Sequence, residues 1–310
     1  MKTDLRVMLQ ETALRPESLI APLFVVHGSG IKTPVRSMPD VYQLSIDYVL
    51  REVQELRDIG IRGILLFGVP MLKDALGSEA SDDHGIIQKT VQAIKNKTPE
   101  AVVITDVCLC EYTSHGHCGI VEQGVIDNDQ TVKRLAEIAL SQARAGADMV
   151  APSDMMDGTV AAIRTALDGA GFENLPIMAY AAKFASSLYA PFREAAQSKP
   201  SFGDRRSHQL NAANGKEAMR ALQRCADEGA DILMVKPALP NLDILAKAKE
   251  CFLLPLAAYQ VSGEYSMIKA AGEKGYLNTD SVMYETLLSI RRAGADLIIT
   301  YFAKEIGTQL

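Results

Sequence analysis

The stretch Ala145-Gly146-Ala147-Asp148-Met149-Val150-Ala151-Pro152-Ser153 joins the end of a helical pattern to a short apolar run. Its glycine can adopt the left-handed conformation that ends a helix, so the chain can turn directly into a strand. A nearly identical sequence recurs at Glu228-Gly229-Ala230-Asp231 and at Ala293-Gly294-Ala295-Asp296. A helix that returns at once to a buried strand is typical of α/β proteins, and its repetition predicts one repeated unit along the chain.

Eight short runs rich in Val, Ile and Leu extend this unit over the whole sequence. Each is long enough for a strand buried on both faces, and helical patterns separate them. The predicted strands are Leu19 to Val26, Arg62 to Gly68, Ala101 to Leu109, Asp148 to Ser153, Pro176 to Ala182, Asp231 to Pro237, Pro255 to Gly263 and Asp296 to Phe302. Strand followed by helix, repeated eight times, predicts an α/β protein with a single (β/α)8 TIM barrel.

An open doubly wound sheet is the alternative fold. Such a sheet would normally show a glycine-rich phosphate turn after its first strand, opening a helix. The glycines at that place are Gly28 and Gly30, and the following Ile31-Lys32-Thr33-Pro34 does not read as the start of a helix. The sequence therefore favours the barrel.

Two segments fall outside the repeat. Residues 1–18 precede the first strand and carry several apolar side chains, so we expect an N-terminal arm that covers either this barrel or a neighbouring subunit. Residues 19–310 are then a single barrel domain. The irregular stretch from about 186 to 214 is longer than most loops in compact domains, and it predicts an active-site lid.

Composition and charge exclude several classes of protein. Of the 310 residues, 48% are hydrophobic and 23% are charged, which is ordinary for a globular protein. A net charge of −6 without a long block of one sign argues against a nucleic-acid partner. The sequence shows neither a run of 18 apolar residues nor a signal-peptide pattern at its start, so we expect a cytoplasmic protein without a membrane partner.

Lysines stand at the ends of two neighbouring predicted strands, Lys183 at the fifth and Lys236 at the sixth. Active sites of such barrels lie at the C-terminal ends of the strands. With little water and with each other's charge nearby, both amines should have a lowered pKa and be neutral. A neutral amine can form a Schiff base with a carbonyl compound. The alternative interpretation is that each lysine only neutralises Asp106 or Asp154, or binds an anionic substrate.

Three cysteines, Cys108, Cys110 and Cys118, follow the third predicted strand, with His115 and His117 between them. In a reducing compartment this cluster favours a metal site over disulfides. Three thiolates without an obvious fourth protein ligand leave one position open, which is typical of a catalytic zinc. The alternative is three unligated thiols in a loop. We expect the two histidines to lie outside the ligand set.

The predicted lid carries Arg193, Arg205 and Arg206, with Gln209 close by. The planar guanidinium group suits a carboxylate or a phosphate. Solvated surface charge is the alternative for each arginine. Because the lid would cover two amines, the pattern favours an acidic substrate.

Five segments together resemble the porphobilinogen synthase family, also called the 5-aminolevulinate dehydratases. The resemblance covers almost the whole chain and is specific, because the three-cysteine segment and both lysine motifs occur in the right order. The segments are 106–119, 151–158, 178–187, 234–237 and 259–264.

The resemblance implies the condensation of two 5-aminolevulinate molecules to porphobilinogen with loss of two waters, an early step in tetrapyrrole (heme) biosynthesis. Lys183 and Lys236 would each hold one substrate as a Schiff base, and Asp106 and Ser153 match polar residues near these lysines. The implied zinc ligands are Cys108, Cys110 and Cys118. The implied substrate-binding residues are Arg193, Arg205 and Gln209 on the Lys183 side, and Ser262 and Tyr301 on the Lys236 side.

The resemblance also implies assembly and its control. Family members usually form a homo-octamer in which the arm wraps a neighbouring barrel, and many bacterial members bind a stimulatory magnesium through a Glu on the helix after the lid. Ala221 occupies that position here, and Glu217 lies one turn earlier. From the resemblance we expect a homo-octamer. Because magnesium relies on one or two carboxylates, we expect that the allosteric magnesium site is absent.

Two other functions remain open from the sequence. A class I Schiff-base aldolase would explain one lysine but would leave the second lysine and the cysteines without a role. A non-enzymatic zinc-binding barrel would need the thiolates but neither lysine.

Overall fold

Eight parallel strands form a nearly closed barrel in the computed structural model of the chain, which describes residues 3–310. The strands pair in the order fourth, third, second, first, eighth, seventh, sixth, fifth, and a bridge between Val150 and Ile177 joins the fourth strand to the fifth. The predicted barrel is therefore confirmed, and the strand ends differ from the predicted ones by only a few residues. The barrel strands are Leu19–Val26, Gly63–Val69, Val102–Val107, Met149–Pro152, Met178–Lys183, Ile232–Lys236, Leu256–Gln260 and Leu297–Thr300.

Helices follow the strands and cover the outside of the barrel. Each buries one apolar stripe, as Ile46–Asp58 does with Val49, Val53 and Leu56. The longer helices are Ile46–Asp58, Ile86–Lys97, Asn128–Ala145, Thr159–Gly169, Gly215–Asp227, Leu242–Cys251, Ser262–Glu273 and Thr279–Arg292. Shorter helices are Thr3–Met8, Ala190–Ala195 and Ala303–Gly307.

The three repeated glycines end helices as predicted. Gly146, Gly229 and Gly294 have φ angles of 102°, 97° and 120°, in the region that favours glycine. The following residues lead into the fourth, sixth and eighth barrel strands. The glycine therefore sets the sharp return from each of these helices to the sheet.

The aspartate of each repeat closes the lower end of the barrel. Its side chain accepts a hydrogen bond from a backbone N–H at the start of a neighbouring strand, in all three cases at nearly the same distance. The bonds run from Val103 N to Asp148 Oδ2 (2.8 Å), from Ile177 N to Asp231 Oδ2 (2.8 Å) and from Leu256 N to Asp296 Oδ2 (2.9 Å). Strand ends that would otherwise leave donors unpaired are thus tied together away from the barrel mouth.

Two short hairpins were not predicted. Lys32–Pro34 pairs with Tyr42–Leu44, and the latter extends the sheet beside the first strand. Ile120–Glu122 pairs with Val125–Asp127 through a turn in which both central residues have positive φ. Strands this short give too few residues for an alternating pattern to be recognised.

The lid is less irregular than predicted. Within the stretch 186–214 the chain forms a 3-10 turn at Ser187–Tyr189 and a helix at Ala190–Ala195. The helix begins with Ala190-Pro191, and proline is favoured in the first turn of a helix. Helices of this length are too short to show the apolar periodicity on which the prediction relied.

The N-terminal segment lies at the surface. Met1 and Lys2, the first residues of the predicted arm, lie outside the described residues. Leu5, Val7 and Met8 are 44%, 64% and 80% exposed, so this apolar segment is not buried against the barrel of its own chain. None of the helices within residues 3–310 has the length and apolar composition that a bilayer crossing requires.

Replacement of Gly146 by Ala should lower the free energy of unfolding by about 1–2 kcal/mol, because an L-residue is strained at this φ. An added Cβ would meet only Lys95 and Val91 at 3.6 Å or more, so crowding does not contribute. The matched control is Gly169→Ala, at a helical φ with open space around it, which should be neutral or stabilising. Denaturant unfolding of both variants checks this, and equal stabilities would contradict it.

Candidate active site

Lys183 and Lys236 lie side by side at the mouth of the barrel. They are direct partners across the fifth and sixth strands, and each side chain is only 5% exposed. Partners on adjacent parallel strands point to the same face of the sheet. The structure thus brings together the two amines that the sequence placed at neighbouring strand ends.

A bulge in the fifth strand makes this alignment possible. The fifth strand advances three positions, from Ala179 to Ala182, while its partner advances two, from Leu233 to Val235. One extra residue reverses the face to which the following side chains point. Lys183 therefore shares a face with Lys236.

Aromatic rings surround the Lys236 amine. Its Nζ lies 4.2 Å from the ring centre of Tyr259, 5.0 Å from Tyr180 and 5.3 Å from both Tyr189 and Phe192. Burial, together with the nearby Lys183 charge, lowers the pKa of Lys236 to about 7. The neutral amine expected from the sequence is therefore accessible near neutral pH at this lysine.

Lys183 differs from the expectation. Burial alone would lower its pKa, but the three cysteine thiolates and the Asp106 carboxylate reverse the effect, and the pKa is raised. Its amine also donates a hydrogen bond to the backbone carbonyl of Ser153. The prediction of a lowered pKa was wrong for Lys183, because strand order alone did not place the thiolates beside this amine.

Asp106 and Ser153 lie next to the lysines. The Ser153 hydroxyl donates to Asp106 Oδ2 at 3.1 Å. Asp106 is 8% exposed, and within residues 3–310 its Oδ1 has no hydrogen-bond partner. Burial and the nearby Glu111 raise the pKa of Asp106, against the opposing effect of the lysines. The site therefore holds a buried carboxyl group with one oxygen available.

Cys108, Cys110 and Cys118 converge to one buried cluster. Their sulfur atoms lie within 4.8 Å of one another, and Cys108 Sγ is 3.4 Å from Cys110 Sγ. All three are free thiols and at most 3% exposed. Hydrogen bonds from the other two thiols lower the pKa of Cys118. This donor set fits a metal ion that accepts soft sulfur ligands.

Glu111 was missed by the sequence analysis. Its carboxylate lies 3.3 Å from Cys110 Sγ and is 2% exposed. Burial and the Cys110 thiolate raise its pKa to about 8. With Asp106 and Cys108 it forms a second group of possible metal ligands. From the sequence alone, a glutamate beside a cysteine motif is expected to be a surface charge. Its burial in the structure is what identifies Glu111 as part of the site.

The lid docks on the cysteine loop. Arg205 is 4% exposed, and its guanidinium donates to the carbonyl of Gly116 at 2.8 Å. The ring of Phe202 lies 4.4 Å from that of His117, and Ser201 N donates to the His115 carbonyl at 3.0 Å. The segment 186–214 thus packs on the loop that carries the cysteines, and its Tyr189 and Phe192 reach Lys236.

Three predicted substrate-binding groups in the lid keep unused donors. Arg193 Nε, Arg205 Nε and Gln209 Nε2 are buried and have no hydrogen-bond partner within residues 3–310. Buried donors without partners are unfavourable unless something else binds them. Two guanidinium groups and an amide therefore offer binding capacity for an anionic group.

Ser262 and Tyr301 lie on the Lys236 side. The Ser262 hydroxyl accepts from Phe192 N at 3.0 Å and donates to the Leu188 carbonyl at 3.1 Å, so it already contacts the lid. The Tyr301 hydroxyl is 3.0 Å from that of Tyr259. Both residues thus adjoin the aromatic ring set around Lys236.

Comparison with known proteins agrees with this geometry. The model of the family described as Delta-aminolevulinic acid dehydratase matches residues 1–309. The chain belongs to the delta-aminolevulinic acid dehydratase family. The dehydratase of Archaeoglobus fulgidus is 55% identical over 309 residues, covering 100% of this chain and 96% of the relative. That of Bacillus subtilis is 53% identical, covering 99% and 94%.

A solved structure of the family has the same fold. The delta-aminolevulinic acid dehydratase of Toxoplasma gondii, in complex with the reaction product porphobilinogen, matches with a TM-score of 0.97 and 45% identity. The match covers 100% of this chain and 89% of that one. The resemblance read from the sequence is thereby confirmed, and the chain is a member of a family of lyases.

Other groups in this dehydratase site were not singled out from sequence. Tyr180 and Tyr259 lie in the segments 178–187 and 259–264. Side chains alternate between the two faces of a strand, so their inward direction follows once the bulge is known. Tyr189 and Phe192 come from the lid and reach Lys236 only through the fold. Aromatic residues at the ends of barrel strands are the sequence signal that could have found the first two.

The cysteine cluster should bind one metal ion per chain. Titration with Co²⁺ should give a thiolate-to-cobalt charge-transfer absorption that saturates at one equivalent, because three buried thiols converge. Cys118→Ser should weaken this absorption strongly. The control Cys225→Ser, which removes a thiol outside the cluster, should leave it unchanged. Equal spectra for both variants would contradict the site.

Proposed function

We propose that this chain condenses two molecules of 5-aminolevulinate to porphobilinogen with loss of two waters. The observation that carries the proposal is the pairing of two buried lysine amines, Lys183 and Lys236, beside a cluster of three thiols. Two amines that can each bind a keto group suit a reaction that joins two keto acids. A relative with porphobilinogen bound supports the same reaction.

Lys236 supplies a nucleophile in this proposal. With its pKa lowered to about 7, a large share of its amine is neutral at physiological pH and can add to the keto carbon of one substrate. Loss of water then leaves a Schiff base inside the aromatic rings, where bulk water is excluded. Lys183 forms the second Schiff base, and the Asp106 carboxylate stabilises positive charge on its nitrogen.

The substrate carboxylates are bound at opposite ends of the site. Arg193, Arg205 and Gln209 bind the carboxylate on the Lys183 side, where their free donors become satisfied. Ser262 and Tyr301 bind the carboxylate on the Lys236 side. Two separate sets of donors give each substrate one orientation, which an asymmetric condensation requires.

We propose Zn²⁺ as the metal of the cysteine cluster. Cys108, Cys110 and Cys118 would hold it, and three ligands leave its fourth position open. When bound, it supplies Lewis acidity toward a substrate oxygen. The buried docking of the lid on the cysteine loop keeps the substrates and the cluster in one enclosed space.

Assembly belongs to the proposal as well. The exposed apolar residues Leu5, Val7 and Met8 support an arm that packs on a neighbouring subunit, and we propose a cytoplasmic homo-octamer. Ala221 is buried, and Glu217 is held by Asn214 Nδ2 at 2.9 Å. This helix therefore offers no free carboxylate at position 221 to bind magnesium, which supports an enzyme that needs no allosteric magnesium.

The alternatives fit the arrangement less well. A class I aldolase needs one Schiff-base lysine, so it gives no role to a second amine paired directly with the first. A non-enzymatic zinc-binding barrel gives no role to either amine or to the unpartnered donors of the lid.

Lys183→Ala and Lys236→Ala should each abolish porphobilinogen formation while the barrel stays folded, because each removes one Schiff-base nitrogen. Borohydride reduction with 5-aminolevulinate should add substrate mass to the peptides that hold these lysines. The control Lys249→Ala removes a lysine that pairs with Asp296 at the lower end of the barrel, and it should keep activity. Normal turnover in either site variant, or label only elsewhere, would refute the proposal.

Trapping of substrate on Lys236 should increase with pH through about 7. Below this pH the amine is an ammonium ion and cannot attack, so the trapping rate should fall about tenfold per pH unit. The same group makes folding more favourable as pH rises from about 7 to 10.5, because the unfolded chain binds this proton more tightly. Rapid borohydride quenching across pH 5 to 9 measures the rate, which should level off above about 7. A rate that still rises about tenfold per unit up to pH 9 would indicate an ordinary lysine and would contradict the lowered pKa.

A further inference from the structure

Tyr180 has a buried hydroxyl that the reaction scheme does not yet use. The side chain is 2% exposed, and within residues 3–310 its hydroxyl has no hydrogen-bond partner. The neighbouring tyrosines are satisfied: Tyr189 donates to the Phe184 carbonyl at 2.6 Å, and Tyr259 is paired with Tyr301. An unpaired buried hydroxyl is destabilising, so one that is kept beside two reactive amines needs an explanation.

Tyr180 shares the inner face of its strand with Lys183 because of the bulge. Tyr180 precedes the extra residue and Lys183 follows it, so both side chains point into the barrel although they are three positions apart. The Tyr180 ring centre lies 5.0 Å from Lys236 Nζ and 5.6 Å from Lys183 Nζ. The ring therefore stands beside both amines, where a substrate bound to either would contact it.

The chemical state of Tyr180 suits a hydrogen-bond donor. Burial and the facing Asp106 carboxylate raise the pKa of the phenol, so it remains protonated. Asp106 accepts from the Ser153 hydroxyl through Oδ2 alone, and within residues 3–310 its Oδ1 has no donor within hydrogen-bond distance, so the facing Tyr180 hydroxyl does not reach it. The hydroxyls of Tyr189 and Tyr259 have partners. Tyr180 is thus the tyrosine beside Lys236 whose hydroxyl makes no hydrogen bond within residues 3–310, and its proton can be donated to a substrate.

We propose that Tyr180 is a catalytic residue whose hydroxyl donates a hydrogen bond to the keto oxygen of the substrate while Lys236 adds to its carbonyl carbon. This inference rests on the proposed function. The amine lone pair forms the new C–N bond, and the π pair of the C=O bond moves to the oxygen. That oxygen then takes the proton that the nitrogen releases, so Tyr180 stabilises the charge and is not consumed.

The test compares Tyr180→Phe with Tyr259→Phe in the full chain. For Tyr180→Phe, single-turnover trapping of 5-aminolevulinate on Lys236 should slow about 100-fold, and kcat should fall with it. Its Tm should be unchanged or higher, because a hydroxyl without a partner is removed. Tyr259→Phe keeps a ring against Lys236 but breaks the bond to Tyr301. It should lower Tm and raise KM while trapping slows only a few-fold.

Each outcome of this comparison decides the inference. Wild-type trapping rates in Tyr180→Phe would overturn it. A fall in Tm or loss of the fold would also overturn it, because it would show that the hydroxyl has a structural partner. A wild-type chain that forms neither porphobilinogen nor a trapped adduct would instead refute the proposed function. An active wild type with an equally active Tyr180→Phe refutes only the role of Tyr180.

Discussion

Two lysine side chains point into the same end of the barrel because the fifth strand has one residue more than its partner between two paired positions. Without this bulge Lys183 would face the helices outside, and the site would hold one amine. Tyr180 and Lys183, three positions apart, share the inner face because of the extra residue between them. Placing two amines in an enclosed site is unfavourable unless opposite charge is near. The Asp106 carboxylate and the cysteine thiolates provide this charge. More thiolates act on Lys183 than on Lys236, so the pKa of Lys183 is raised and that of Lys236 is lowered.

The groups that stabilise the barrel lie at one end of it, and the reactive groups lie at the other. At the lower end, the repeated Gly-Ala-Asp units end helices and tie strand starts together through aspartate carboxylates. At the upper end, polar atoms are left without partners and thiols converge without a disulfide. A firm base can hold such an unfavourable arrangement in place, because the strands that carry it are fixed at their other ends. The segment 186–214 packs across the same end, where Arg205 donates to the Gly116 carbonyl.

The barrel strands and several helix ends could be predicted from the sequence. Strands buried on both faces are continuous apolar runs, so all eight barrel strands were found, and glycine after a helix marks its end. The short hairpins and the lid helix Ala190–Ala195 lack the length that a periodic pattern needs. The lowered pKa predicted for Lys183 was wrong because charge from a distant loop, at Cys118, decides it. Arg205 and Arg206 are neighbours in sequence, yet the first is buried against Gly116 and the second is exposed, which no local pattern distinguishes.

The sequence by itself determined the family, the barrel and which strand ends carry lysines and cysteines, since these follow from residue type, order and spacing. Only the tertiary structure decided how these groups meet. The bulge set the face of Lys183, and the burial of Glu111 added a carboxylate beside the thiols. The partners of neighbouring tyrosines left one hydroxyl free at Tyr180. Direction, burial and pairing arise from contacts between segments far apart in the chain, and a one-dimensional pattern does not contain them.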